Sequence, residues 1–241
     1  MKMIDIHAHI LPGLDDGSSN EKKSMEMIKL AESQGITTII GTPHYSHHFQ
    51  NSRQKIVAAY EKLMDHMRSE GYCSVQIYMG QEILYSEDVP EKLAAGELIT
   101  LAGSRYVLVE FLPFESYSKI FRAAGMIAMA GYQMILAHTE RYECLRNPEK
   151  IQELLEAGVK LQMNCRPIGG RWYDETTRWC RKMLKEGNVH FLGTDMHNTS
   201  SRSPEIKGAV HWMKKHLDEE YMQEICYKNA EKILNHKQII R

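Results

Sequence analysis

Met3-Ile4-Asp5-Ile6-His7-Ala8-His9, running on to Leu14-Asp15-Asp16-Gly17, is the stretch from which the fold of this chain is read. A strand over Met3 to Ile6 places side chains two apart on one face, so His7 and His9 leave its end in the same direction. Two imidazoles aimed at one point suit a metal ion. A solitary His-x-His pair is as readily polar surface, and the residues that follow decide between the two.

Outward from that stretch, strand and helix signals alternate. Ser18 with Glu21 reads as a capping box for a helix over Asn20 to Gln34, closed by Gly35. Thr37 to Ile40 is a β-branched strand that leaves through Gly41-Thr42-Pro43-His44. Ile56, Tyr60, Leu63, Met64 and Met67 share one face of a second helix, and the strand Val75 to Met79 ends at Gly80-Gln81-Glu82. In the strand Tyr106 to Phe111, Glu110 stands inside an apolar run and needs a cation or a strong donor. Tyr132 to Ala137 is a strand followed at once by His138-Thr139-Glu140-Arg141. Asn147-Pro148 and Asp174 open two further helices around the strand Val159 to Met163, and Val189 to Gly193 leads into Thr194-Asp195-Met196-His197. Ser203-Pro204 opens another helix, and Met222, Ile225, Cys226, Ala230 and Ile233 mark the apolar face of the last.

About seven strands separated by helices predict βα units on a parallel sheet. The first strand lacks a Gly-x-Gly-x-x-Gly turn, so a dinucleotide-binding fold is a poor match. The expected fold is α/β, a closed or distorted (β/α)7 TIM-like barrel, and one domain over residues 1–241. A hydrophobic fraction of 43% and a charged fraction of 25% are ordinary for a globular protein, and a net charge of −1 offers no footprint for nucleic acid. The N-terminus turns polar at Asp5 and His7 and no apolar run is long enough to span a bilayer, which predicts a cytoplasmic protein without membrane insertion. Five scattered cysteines without a Cys-x-x-Cys pair argue against both a disulfide framework and a thiolate metal site.

His7, His9, His44, Glu82, Glu110, His138, Asp195 and His197 all fall at, or just after, the carboxyl end of an expected strand. In a barrel of parallel strands those ends meet on one face. Asp16 is the natural further member, because the Asp-Asp-Gly turn returns toward that face; Asp15 is the less favoured choice. Imidazole with carboxylate suits Zn, Fe or Mn, and this many donors imply two or three ions. Such a cluster activates water and neutralises a phosphoryl group in transfer, so phosphate-ester hydrolysis is the reaction it suits best. His47 and His48 read as surface, and His66, His211, His216 and His236 as solvated helix residues.

Met3 to Gly17, the Thr-Pro-His ending at His44, Gly80-Gln81-Glu82, Glu110, the Ala-His-x-Glu-Arg ending at Arg141 and Thr194-Asp195-Met196-His197 resemble the polymerase-and-histidinol-phosphatase (PHP) superfamily. More narrowly, the chain is similar to the bacterial PHP-type protein-tyrosine phosphatases of capsular and exopolysaccharide gene clusters, from residue 3 to Leu234. The resemblance implies a PHP-type distorted barrel with a trinuclear site, usually assigned manganese, acting on phosphotyrosine in the tail of a cognate bacterial tyrosine kinase. It implies metal ligation by His7, His9, Asp16, His44, Glu82, Glu110, His138, Asp195 and His197, and phosphate binding by Arg141 and Arg202. The chain departs from the pattern at Thr139, where related sequences often have proline, and over Cys165-Arg166-Pro167-Ile168-Gly169-Gly170-Arg171.

That last stretch carries a rival reading, since Cys165 and Arg171 stand at the Cys-x5-Arg spacing of thiolate-dependent tyrosine phosphatases. Pro167 removes one of the backbone donors such a loop needs. Two other readings keep the metal pocket. One takes histidinol phosphate or another small phosphomonoester as substrate, and the other is a non-catalytic regulatory partner of the kinase.

Overall fold

The computed structural model describes residues 2–239. Nine strand segments, all paired in parallel, form a three-stranded run in the order β1 (Met3–Ala8), β2 (Ile36–Gly41), β4 (Gln76–Met79) and a six-stranded run. The second runs β3 (His44–Tyr45), β5 (Glu82–Leu84), β6 (Tyr106–Glu110), β7 (Gln133–Leu136), β8 (Lys160–Asn164), β9 (Phe191–Gly193). The sequence signals show about seven strands because β3 and β5 are short continuations of β2 and β4. Thr42-Pro43 interrupts the first pair and Gly80-Gln81 the second; Pro43 has no N–H to give to a ladder. The sheet is curled, and its outer strands approach each other: Asp195 N donates to His7 O at 2.8 Å and His9 N to Met196 O at 2.9 Å.

The helices lie between and outside the strands: α1 (Glu21–Glu32), α2 (Arg53–Ser69), α3 (Val89–Ala94), α4 (Tyr117–Met129), α5 (Pro148–Glu156), α6 (Cys165–Ile168), α7 (Glu175–Lys185), α8 (Lys207–His216), α9 (Glu219–Gln223) and α10 (Asn229–Leu234). Asn147 and Asp174 cap α5 and α7 as their sequences predict. The cap of α1 is Asn20, which accepts from Lys23 N at 3.0 Å, while Ser18 turns back to bond Ser24. Pro204 precedes α8 without opening it, and a π-helical stretch, Glu224–Lys228, interrupts the last helical region.

Two apolar clusters sit on opposite sides of the sheet. Met25, Ile28, Leu63 and Met67 of α1 and α2 pack with Met3, Ile39, Val107, Met134 and Leu161 on the outside. Ile4, Ile6, Ile40, Tyr106, Leu108, Ile135 and Phe191 fill the concave side, with Ala230 and Ile233 of α10. A register shift between Asp5 and Ala8 is what aims the opening histidines. Ile4 and Ile6 face the concave side and Ala8 the outside, so His7 and His9, flanking Ala8, turn inward at the carboxyl edge.

Candidate metal centre

The parallel register juxtaposes residues far apart in sequence. His44 of β3 lies directly beside Glu82 of β5, and Leu84 beside Glu110 of β6. His138 follows β7 and Asp195 follows β9, both with left-handed backbone, φ 33° and 52°. Such a conformation costs about 1–3 kcal/mol for a residue other than glycine, and both are held through their backbone N–H: His138 N donates to the side-chain Oε1 of Gln162 at 2.7 Å and Asp195 N to His7 O at 2.8 Å.

All nine side chains expected to act together do converge. His7 Nε2 is 3.0 Å and His9 Nε2 3.2 Å from Glu82 Oε2, and both lie 3.5 Å from Asp195 Oδ1. His44 Nδ1 stands 3.1 Å from both Glu82 Oε2 and Glu110 Oε1. His138 Nε2 is 2.9 Å from Glu82 Oε1 and 3.4 Å from Glu110 Oε2. Asp16 Oδ1 faces His44 Nε2 at 3.6 Å and His197 Nε2 at 3.4 Å. Among the described residues three overlapping groups have donor atoms close enough to share an ion: His9, Asp16, His44 and His197; His7, His9, Glu82 and Asp195; His44, Glu82 and Glu110. His138 lies beside Glu82 and Glu110 but belongs to none of the three.

Asp15 stands outside these groups. Its side chain is fully buried, Oδ2 lies 2.7 Å from His9 Nδ1 and accepts from His44 N at 2.9 Å, and Oδ1 accepts from Gly17 N at 3.0 Å. With Nδ1 of His9 donating to Asp15, Nε2 is left bare toward the cluster. Gln162 does the same for His7, its Oε1 3.1 Å from Nδ1, and its Nε2 bonds Asn164, whose own amide donates to Asp195 Oδ2 at 3.1 Å. Tyr142 Oη lies 3.5 Å from His138 Nδ1. Sequence reasoning missed Gln162, Asn164 and Tyr142. For the first two a signal existed: in Lys160-Leu161-Gln162-Met163-Asn164 the polar residues alternate with apolar ones, so β8 turns a polar face to the concave side.

Opposed charges among the protein's own groups set the protonation of this cluster. Burial disfavours a proton on His138, but Glu110 and Glu82 outweigh it and lift the imidazole to about 9. Burial likewise opposes ionisation of Asp15, yet His9 holds it at about 2. Burial and then His9 push His197 down to about 3. Glu82 and Asp195, despite burial, are kept well below the carboxylate range, in each case by His7 before any other neighbour. Even so, Glu82 Oε2 and His197 Nε2 are buried without a formed hydrogen bond. Two acceptors without a formed hydrogen bond, in a cluster of imidazole nitrogens and carboxylate oxygens with no thiolate among them, fit divalent cations of the Mn, Fe or Zn kind.

Arg141 and Arg202 both reach this cluster. Arg141 Nη2 donates to Asp195 Oδ2, and Arg202 spans Asp195 Oδ1 at 2.8 Å and Asp16 Oδ2 at 3.4 Å. Each guanidinium keeps more than a third of its side chain open to solvent, at the wall of a cleft of about 530 Å³ that Asn164, Arg146, Arg166 and Thr194 also line. The Cys165 to Arg171 stretch builds nothing of the kind. Cys165 is buried, burial pushes its thiol well above the usual range, and exposed Arg171 bonds Tyr173 Oη at 2.7 Å. A thiolate nucleophile does not form there.

A curled parallel sheet with a histidine and carboxylate cluster at its carboxyl edge defines a protein of the metal-dependent hydrolase class. The chain belongs to the CpsB/CapC family of capsular polysaccharide synthesis, whose family model matches residues 3–235. It is 33% identical to the tyrosine-protein phosphatase CpsB of Streptococcus pneumoniae, over 96% of this chain and 98% of that one. With the tyrosine-protein phosphatase YwqE of Bacillus subtilis it shares 31% identity over 99% and 94% of the two chains. A crystal structure from work on YwqE and CpsB, described as unique metal-dependent tyrosine phosphatases, superimposes with a TM-score of 0.91 at 29% identity, covering 99% of this chain and 97% of that one. A histidinol phosphate phosphatase of Lactococcus lactis, at 16% identity and a TM-score of 0.58 over 89% and 94% of the chains, shares the fold.

Proposed function

We propose that this chain is a metal-dependent protein-tyrosine phosphatase, acting on phosphotyrosine of a bacterial tyrosine kinase in capsule or exopolysaccharide synthesis. The observation that carries this reading is three overlapping donor groups with two half-exposed arginines at their rim. His7, His9, Asp16, His44, Glu82, Glu110, His138, Asp195 and His197 would hold three divalent ions, manganese first among them, on a single-domain barrel of seven βα units. We place that action in the cytoplasm; among the described residues no helix is long and apolar enough to cross a membrane.

Bound divalent ions supply Lewis acidity and the activation of water. The chain's own part is positioning. Arg141 and Arg202 each have N–H groups beyond those spent on Asp195, and these bind the phosphoryl oxygens and hold phosphorus in line. Asp195 fixes both guanidinium planes before substrate arrives, so little reorganisation is left for the transition state. A tyrosine phenol has a pKa of about 10 and departs with modest help, so the site needs no strong general acid.

The test is metal content of the purified protein alongside turnover of a phosphotyrosyl peptide and of histidinol phosphate. Preference for the peptide, loss with chelator and indifference to Cys165→Ser are expected. Preference for histidinol phosphate would move the substrate to a small phosphomonoester. Metal-replete protein inert toward every phosphomonoester would leave a regulatory binding role.

A further inference from the structure

Arg166 belongs to the one stretch that the metal site leaves unexplained, and its guanidinium does not pair with a carboxylate: among the described residues none lies within 4 Å. It reaches instead to the loop after β9. One Nη donates to Ser201 O, and the other lies 3.4 Å from both Ser203 O and Ser203 Oγ. Those carbonyls flank Arg202. The backbone of Arg202 is pinned as well, its N–H to Asn198 Oδ1 at 2.9 Å and its carbonyl accepting from His197 N at 2.9 Å.

The mount of Arg166 is rigid. Thr177 donates to Pro167 O at 2.9 Å, and Arg181 donates to Ile168 O and Gly170 O, each at 3.0 Å. Gly169 packs so closely on the start of α8 that an added Cβ would come within 2.9 Å of the Gly208 backbone. Helix α6 is thus fixed to α7 and α8 on one side, and Arg166 extends from it to brace the loop on the other.

We infer that Arg166 is a positioning residue for phosphate binding: it clamps the Ser201 to Ser203 carbonyls and so fixes the direction in which Arg202 presents its guanidinium to the cleft. This rests on the phosphatase reading and adds a residue to it. A guanidinium is needed because its planar fork holds two acceptors in fixed relation, which an ammonium does not.

The experiment is a double-mutant cycle of Arg166→Ala and Arg202→Ala in metal-loaded protein, with Arg166→Lys as the conservative variant. Affinity for inorganic phosphate is read by calorimetry, kcat and KM on a phosphotyrosyl peptide by assay, and metal content by elemental analysis. Arg166→Ala should weaken phosphate binding and raise KM about tenfold at unchanged metal content, with Arg166→Lys recovering little. In the Arg202→Ala background Arg166→Ala should change either quantity less than about twofold, because its target is gone. Effects that multiply, or an Arg166→Ala protein that binds phosphate like wild type, would overturn the inference. Wild type that binds phosphate but turns over no phosphotyrosyl peptide would overturn the substrate and leave the clamp standing.

Discussion

At the scale of single residues, Asp15 and Asp16 show how adjacent carboxylates take different work from their surroundings. The Asp15 side chain is wholly buried behind His9, whereas the Asp16 side chain is half exposed and faces His44, His197 and Arg202. Asp16→Ala should therefore lower the number of ions bound per chain, while Asp15→Asn should keep that number and weaken affinity or activity by about 10–100-fold, the usual effect of losing the partner that orients a metal-binding histidine. Metal stoichiometry by elemental analysis after dialysis separates the two; a missing ion in the Asp15 variant would reverse the assignment. The convergence was legible in sequence for eight of the nine side chains because each falls at or just after the carboxyl end of an expected strand, and for Asp16 because its turn leads back to that face. Gln162 and Asn164 were harder to see, since they stand inside β8 and act through His7 and Asp195. Their significance depends on which face of the strand is concave, and only the neighbouring strands define that face.

At the scale of elements, the order of strands and helices was legible and their interruptions were not. Periodicity reports what a strand buries, and β3 is too short to show a period, its two residues half-buried and separated from β2 by Pro43. Capping failed at α1 for a related reason: Ser18, Asn20 and Glu21 all suit a helix start, and the turn made by Gly13 and Ser18 decides which is used. Helix α6 had no signal at all, because four residues containing a proline do not announce a helix; its position follows from the Gly169–Gly208 approach. Gly169→Ala forces a methyl into backbone that cannot swing aside as a flexible side chain would, and such overpacking typically costs about 1–3 kcal/mol. Denaturant unfolding should show that loss, and instead a gain of about 0.5–1 kcal/mol in Gly125→Ala, which stands inside α4 where an added Cβ meets nothing within 4 Å and alanine is the better helix former. Equal stability of Gly169→Ala and wild type would mean that α6 and α8 separate freely, and would weaken the case for a rigid mount under Arg166.

At the scale of the whole molecule, the candidate ligands come from both ends of the chain and from the strands between, from His7 on β1 to His197 beyond β9. An unfolded chain holds no such arrangement, so ions bind the folded state almost exclusively and their binding free energy becomes folding free energy. A ligand present at a thousand times its dissociation constant stabilises by about 4 kcal/mol per site. In a chain of this size each kcal/mol raises the melting temperature by about 2–4 °C. One tightly held ion should thus raise it by roughly 8–16 °C, and further ions by more. His9, His44 and Glu82 each serve two of the donor placements, so filling one group changes the charge felt by the next, and the sites should not load independently. Scanning calorimetry of chelator-treated protein, then of the same protein titrated with Mn2+, should show stepwise rises in melting temperature that parallel the return of phosphatase activity. A melting temperature indifferent to saturating metal would mean that the imidazolium and carboxylate pairs of the ion-free cluster already hold the carboxyl edge together without help from cations.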